Sequence, residues 1–296
     1  MPKHMPFCKI CPRHCPVDRT KNAGFCGAGK DAVVAKVMLH PWEEPCICRG
    51  AGCGAVFFAG CNLRCVFCQN SPISRRAEGR VFNENALCSL FFDLEEKGAS
   101  CLDLVSPTPY LAVVLRALEK AKAKGLSLPV VWNSGGYESI EALRSIADLC
   151  DIYLPDFKFF DPELARALCG VADYPETCKE ALLFMQNALG KPVFSAGRLL
   201  RGVLVRHLVL PNHTDDSAKI LDFLHESFSS DGIVLSLMRQ YTPAGDADRF
   251  PDLCRRLTTL EYQKVERLAQ RYGFRFLYTQ KKESATKEYI PDFTQF

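Results

Sequence analysis

AVFFAGCNLRCVFCQN, residues 55–70, carries an apolar stretch directly into three cysteines. Residues 55–59 are small or apolar throughout, the texture of a strand buried on both faces, and such strands belong to parallel sheets. Downstream, residues 85–97 repeat Leu87, Leu90, Phe91 and Leu94 at helical spacing, and Gly98 supplies the stop. That strand-helix unit recurs. Residues 102–105 and 110–124, closed by Gly125, form the second unit; 129–132 and 139–149 the third; 152–154 with helical stretches through 188 the fourth. Residues 203–210 and 233–238 are the fifth and sixth strands, paired with helices near 217–228 and 260–272, the last closed by Gly273. Strands alternating with helices predict a parallel sheet. About six repeats without a dinucleotide fingerprint predict an α/β chain folded as an incomplete (βα)6 barrel rather than a doubly wound sheet.

In parallel barrels the site forms at the C-terminal strand ends. Here each strand runs into a polar or cysteine-bearing segment: CNLRCVFC, SPTP, NSGGY, PDFK, RHLVLPNHTDD and MRQYTPAG. Such segments would surround a bound small molecule from several sides.

The chain has 296 residues, 48% hydrophobic and 24% charged, the balance of a globular protein with ample apolar surface to bury. Two regions are expected: a Cys-rich N-terminal module at 1–53, loop-dominated and held by metal, and the partial barrel at 54–296. The net charge of +3 is spread without a basic block, which gives no reason to propose nucleic acid or a membrane surface as partner. With no apolar leader and no run near ~18 apolar residues, a cytoplasmic location is expected.

Sixteen cysteines in such a chain point to metal rather than disulfides, because the cytosol keeps thiols reduced. Ten fall within the first 68 residues: Cys8, Cys11, Cys15, Cys26, Cys46, Cys48, Cys53, Cys61, Cys65 and Cys68. The remaining six, Cys88, Cys101, Cys150, Cys169, Cys178 and Cys254, read as small buried hydrophobes.

Cys61, Cys65 and Cys68 are spaced Cys-x3-Cys-x2-Cys. Thiolates normally hold all four irons of a 4Fe-4S cluster, so three cysteines leave one iron open to an exogenous chelating ligand. The competing reading is zinc, with Cys53, Cys48 or Cys46 completing a tetrahedral set. Cys8, Cys11, Cys15 and Cys26 supply four further ligands within nineteen residues, enough for zinc or for a second, fully ligated cluster, and the sequence leaves both open. Cys46, Cys48 and Cys53 remain unassigned.

The Cys-x3-Cys-x-aromatic-Cys signature, with Phe67 as the aromatic, resembles the radical S-adenosylmethionine superfamily, whose fold is a TIM-like barrel. The wider pattern is similar to the branch labelled pyruvate formate-lyase activating enzyme. It includes Glu43, Glu44 and Pro45, then residues 55–70, NSGGY at 133–137, DIYLPDFK at 151–158 and VRHLVLPN at 205–212. The resemblance implies that Cys61, Cys65 and Cys68 ligate a 4Fe-4S cluster whose open iron takes S-adenosylmethionine, with Phe67 against the adenine. It also implies that Asn133, Ser134, Asp156, Lys158 and Arg206 are near that cofactor. Each has an ordinary reading too: Asn133 as a turn cap, Asp156 and Lys158 as a solvated loop pair. Arg206 and His207 are adjacent on a strand and face opposite ways; Arg206 is expected inside. Thr214, Asp215 and Asp216 read as caps of the following helix.

One departure from the resemblance stands out. Activating enzymes carry Gly-Gly-Glu after the second strand to hold the methionine amine, whereas this chain reads LVSPTPY at 104–110, without a carboxylate. Thr108 or backbone carbonyls are the acceptors left there.

The resemblance implies an enzyme that forms an adenosyl radical for hydrogen abstraction. A glycyl radical enzyme or a small molecule would be the substrate, and flavodoxin or ferredoxin the reductant. The alternatives are an iron-sulfur electron-transfer protein without radical catalysis and a zinc-stabilised interaction module. Polar segments at so many strand ends count against the last.

Overall fold

The computed structural model describes residues 8–285 and 291–293. Ten strands make one sheet: β1 (Ala32–His40), β2 (Cys53–Phe58), β3 (Arg80–Phe82), β4 (Leu102–Val105), β5 (Val130–Ser134), β6 (Ile152–Pro155), β7 (Val193–Ser195), β8 (Arg198–Leu208), β9 (Val234–Met238) and β10 (Leu277–Thr279). Their order is β10-β9-β8-β6-β5-β4-β2-β1-β3, with β7 hairpinned onto β8. From β2 through β10 this path is parallel. The six predicted barrel strands are therefore all present and in the predicted succession. The helices α1 (Ser71–Ser74), α2 (Glu84–Glu96), α3 (Leu111–Ala123), α4 (Ile140–Ile146), α5 (Pro162–Cys169), α6 (Tyr174–Leu189), α7 (Thr214–Ser227) and α8 (Thr259–Arg271) connect them.

Strand alternation divides the apolar residues into two cores. Leu104, Trp132, Tyr153, Val205 and Leu235 face the helices and pack with Leu87, Phe91, Val114, Leu143 and Leu182. Val131, Ile152, Leu154, Leu204 and Val234 face the lumen and pack with Cys46, Cys53 and Cys101, which close its lower end. Helix ends follow the chemistry of their caps. Asn83 accepts the Asn85 and Ala86 N–H groups at the start of α2, and Thr258 and Glu261 form a reciprocal capping box on α8.

The N-terminal region is less loop-like than expected, because nine of its residues form β1, antiparallel to β2 in the barrel sheet. Its burial does not alternate cleanly, since residues 36–39 are all half-buried, and that irregularity hides the strand from a period-two reading. The three-residue strands β3, β7 and β10 were also unpredicted; they are too short for periodicity to register. Among the six cysteines read as buried hydrophobes, Cys254 is exposed and its thiol meets the Phe250 carbonyl at 3.3 Å. The reading of Asp216 as a helix cap is also corrected: it is buried, and its carboxylate accepts the N–H groups of Phe160 and Asp161, tying α7 to the segment after β6. Among the described residues no helix is long and apolar enough to cross a membrane.

Candidate functional site

β2 delivers the chain to Gly60 at φ +82°, where a Cβ would come within 2.2 Å of the Cys26 carbonyl oxygen, so this turn requires glycine. The cysteine loop that follows is fastened on all sides. Arg64 and Val66 donate their N–H groups to Cys169 and Leu168 at the C-terminal end of α5, carbonyls that the helix itself leaves free. The Asn62 amide donates to Tyr137 O at 2.7 Å, and the Asp246 N–H reaches Val66 O at 2.6 Å. Gly245 approaches so closely that a Cβ there would lie 2.6 Å from Val66 O. Burial pushes the Cys61 thiol up to about 11 and the Cys65 thiol well above its ordinary value, so neither ionises on its own near neutrality.

Cys65, Phe67 and Cys68 line one cavity of about 230 Å³ together with Glu43, Asn133, Asp156, Lys158, Arg206 and Gln240. These residues come from the segment after β1 and from the ends of β5, β6, β8 and β9. Arg206 organises the polar side. Its Nε donates to Asp156 Oδ1 at 2.8 Å, Nη2 to Asn133 Oδ1 at 2.7 Å and Nη1 to Glu43 Oε1 at 3.3 Å. The Asn133 amide in turn donates to Asp103 Oδ1 at 3.2 Å and to Glu43 Oε2 at 3.3 Å. Lys158 Nζ meets Asp156 Oδ2 at 2.5 Å.

Burial opposes the charge on Asp156, but Arg206 and Lys158 together outweigh it and hold this carboxyl below its ordinary range. Asp103 has the opposite fate: burial, reinforced by the Glu43 charge, raises it well above that range. Glu44, buried beneath, is pushed up to about 7 by desolvation and then by Glu43. The lumen thus pairs two fixed cations with two carboxylates, while Asp103 holds its proton.

Of the residues singled out in the sequence, Cys65, Cys68, Phe67, Asn133, Asp156, Lys158 and Arg206 meet at this cavity, with Cys61 at the start of the same loop. Asp156 and Lys158 are no solvated pair, their side chains being 19% and 18% exposed. Asn133 caps no turn; that task falls to Ser134, whose Oγ accepts the Gly136 N–H. Ser134 and Thr108 do not line the cavity. Thr108 instead donates to the buried Glu138 carboxylate at 2.6 Å. His207 faces the helices, bonded through Nδ1 to Phe157 O and through Nε2 to Ser217 Oγ.

Sequence reasoning assigned no role to Glu43 and missed Asp103 altogether. Asp103 carried a signal: it interrupts the apolar strand LDLV at an alternate position, and a charge there must be partnered. Cys46, Cys48 and Cys53 cannot complete the Cys61 set. Cys53 begins β2 and pairs in register with His40, a full strand away from the loop that begins beyond Phe58. Cys8, Cys11, Cys15 and Cys26 line a second cavity with Arg13, Arg19 and Thr108.

Residues 55–224 match the family model of the Radical SAM superfamily. An uncharacterized protein of Methanocaldococcus jannaschii is 31% identical over 281 residues, covering 92% of this chain and 76% of its own. Streptococcus suis SuiB bound to the precursor peptide SuiA superposes with a TM-score of 0.55 at 12% identity, over 80% of this chain and 50% of SuiB. Methylornithine synthase does so with a TM-score of 0.50 at 16% identity, over 74% of this chain and 68% of that enzyme. The chain therefore spans half the length of SuiB, and at these identities the likeness concerns the fold. The chain belongs to the radical SAM superfamily. Members of that superfamily are enzymes, and membership implies a 4Fe-4S cluster and S-adenosylmethionine.

Proposed function

We propose that Cys61, Cys65 and Cys68 ligate a 4Fe-4S cluster and that the adjoining cavity binds S-adenosylmethionine for reductive cleavage. The observation that carries this is the meeting of the cysteine loop with Asn133, Asp156, Lys158 and Arg206 around one cavity. The donor set fits the group. Three thiols lie on a loop whose backbone is pinned by neighbouring elements, so the segment that carries them is positioned by contacts of its own.

When bound, the cluster and S-adenosylmethionine supply methionine and a 5'-deoxyadenosyl radical for hydrogen abstraction. The chain's own residues bind and orient. Phe67, buried edge-on against Phe159 and Tyr241, offers its backbone and ring edge to the adenine. Asn133, Asp156, Lys158 and Arg206 form a rigid polar wall in which every charge already has a partner. Glu43, reaching the lumen from the segment after β1, provides the carboxylate that LVSPTPY lacks, as acceptor for the methionine amine. Thr108 and Ser134 support this wall from behind through Glu138 and the Gly136 turn.

Residues 54–296 supply the cluster-binding loop and the strand-end residues of this site, and the Cys-rich module of residues 1–53 adds Glu43 to it. The finer reading is activation of a glycyl radical enzyme, as in the pyruvate formate-lyase activating enzyme branch, with flavodoxin or ferredoxin as reductant in the cytoplasm. Anaerobic reconstitution followed by dithionite and S-adenosylmethionine tests the cleavage. 5'-Deoxyadenosine and methionine should form in equal amounts and vanish in Cys65→Ala; no product above that control removes the proposal.

A further inference from the structure

Outside the barrel lumen, the largest concentration of metal-ligating side chains is the second cavity. Cys8, Cys11, Cys15 and Cys26 converge on it from separate turns of a segment in which residues 8–31, those described ahead of β1, form no helix or strand. Such a segment needs something other than an apolar core to fix its shape. Two arginines share the lining. Arg19 points Nη1 at the Cys8 and Cys26 sulfurs, 3.6 and 3.9 Å away, and Nη2 at Gly29 O and Pro109 O. Arg13 sends Nε to Asn62 O at 2.5 Å and lies over the Phe25 ring at 3.4 Å.

Both guanidinium groups keep a buried nitrogen with no acceptor, Nη2 of Arg13 and Nε of Arg19. Leaving such donors unmatched is costly, so they point to a missing anionic acceptor. A single tetrahedral ion would draw four thiolates to within about 2.3 Å of one point and offer no other acceptor. An iron-sulfur cluster spreads its cysteines further and adds inorganic sulfides as acceptors.

We infer that Cys8, Cys11, Cys15 and Cys26 hold a second, fully thiolate-ligated 4Fe-4S cluster, its negative charge matched by Arg13 and Arg19. It is seated directly against the cysteine loop of the barrel: Asn62, next to Cys61, lines this cavity too, and Gly60 touches the Cys26 carbonyl. With all four irons ligated by the chain, this cluster has no position for S-adenosylmethionine and differs from the barrel site in that respect.

The test separates the two sites. Cys61→Ala/Cys65→Ala/Cys68→Ala leaves the N-terminal cysteines intact; purified anaerobically, it should retain about four iron and four sulfide per chain. About one zinc without sulfide, or no metal, in that variant overturns the inference, whatever becomes of the barrel proposal. The unaltered protein gives a second readout that requires no variant. Reconstituted and reduced, it should show two cluster signals by electron paramagnetic resonance, of which one alone changes with S-adenosylmethionine. A single signal together with stoichiometric zinc overturns it. Cys8→Ser/Cys26→Ser should halve iron and sulfide while keeping the signal that responds to S-adenosylmethionine; undiminished iron in a folded variant also contradicts it.

Discussion

Replacing Arg206 by methionine removes the hub of the lumen while nearly preserving its volume. Three hydrogen bonds disappear, two of them to carboxylates, at 2.8 Å from Asp156 and 3.3 Å from Glu43. Asp156 keeps Lys158 at 2.5 Å, so the group left uncompensated is Glu43, whose side chain is 11% exposed and which stands beside the protonated Asp103. Removing one partner of a buried ion pair costs about 3–5 kcal/mol, and that is the destabilisation expected of R206M near pH 8. Adding Glu43→Gln removes the uncompensated charge and should restore about 1–3 kcal/mol. Anaerobic urea denaturation followed by circular dichroism measures both changes. A deficit below about 1 kcal/mol, the range of an exposed pair, would refute the view that Arg206 neutralises the lumen.

Other consequences are simpler to check. Gly245→Ala forces a Cβ to 2.6 Å from Val66 O, so the cysteine loop must shift; iron content should fall while the far-ultraviolet spectrum stays unchanged, and full iron retention would show that the loop has slack. Desolvation lowers His207 to about 4 from an ordinary 6.5, so its neutral form contributes stability above pH 6.5 that is lost as pH falls toward 4, about 3 kcal/mol in total. An imidazole that titrates near 6.5 by nuclear magnetic resonance contradicts its placement between Phe157 and Ser217. Glu44, raised to about 7, works in the opposite sense: its burial penalty grows as pH rises from 4.5 to 7, and Glu44→Gln should flatten that part of the stability profile. A profile of unchanged slope in that window would place the titrating group elsewhere.

The barrel was legible because each strand is buried on both faces and each helix is amphipathic, two local textures that survive without knowledge of the tertiary fold. β1 was not, since its pairing with β2 and β3, rather than its own pattern, makes it a strand. In the site, residues at parallel-strand ends were findable because topology alone sends them to one rim. Strand alternation also carried more information than was taken from it: Asn133 and Ser134 are neighbours on β5 and must diverge, so one of them had to leave the cavity. Glu43 was out of reach for a different reason. It belongs to a segment without periodicity, and only the closed fold shows that this segment enters the lumen from β1 and ends against Arg206. The Thr108 to Glu138 contact joins residues thirty positions apart and leaves no trace in either local sequence.

The central claim concerns an iron left without a protein thiolate beside Cys61, Cys65 and Cys68. Electron-nuclear double resonance of the reduced protein with S-adenosylmethionine labelled by 15N at its amine and 17O at its carboxylate reads that vacancy directly. Hyperfine coupling from both labels, lost in Cys65→Ala, is the predicted result. Absence of coupling from either label in a protein that retains its clusters would mean that the corner is already filled, and the account would be wrong.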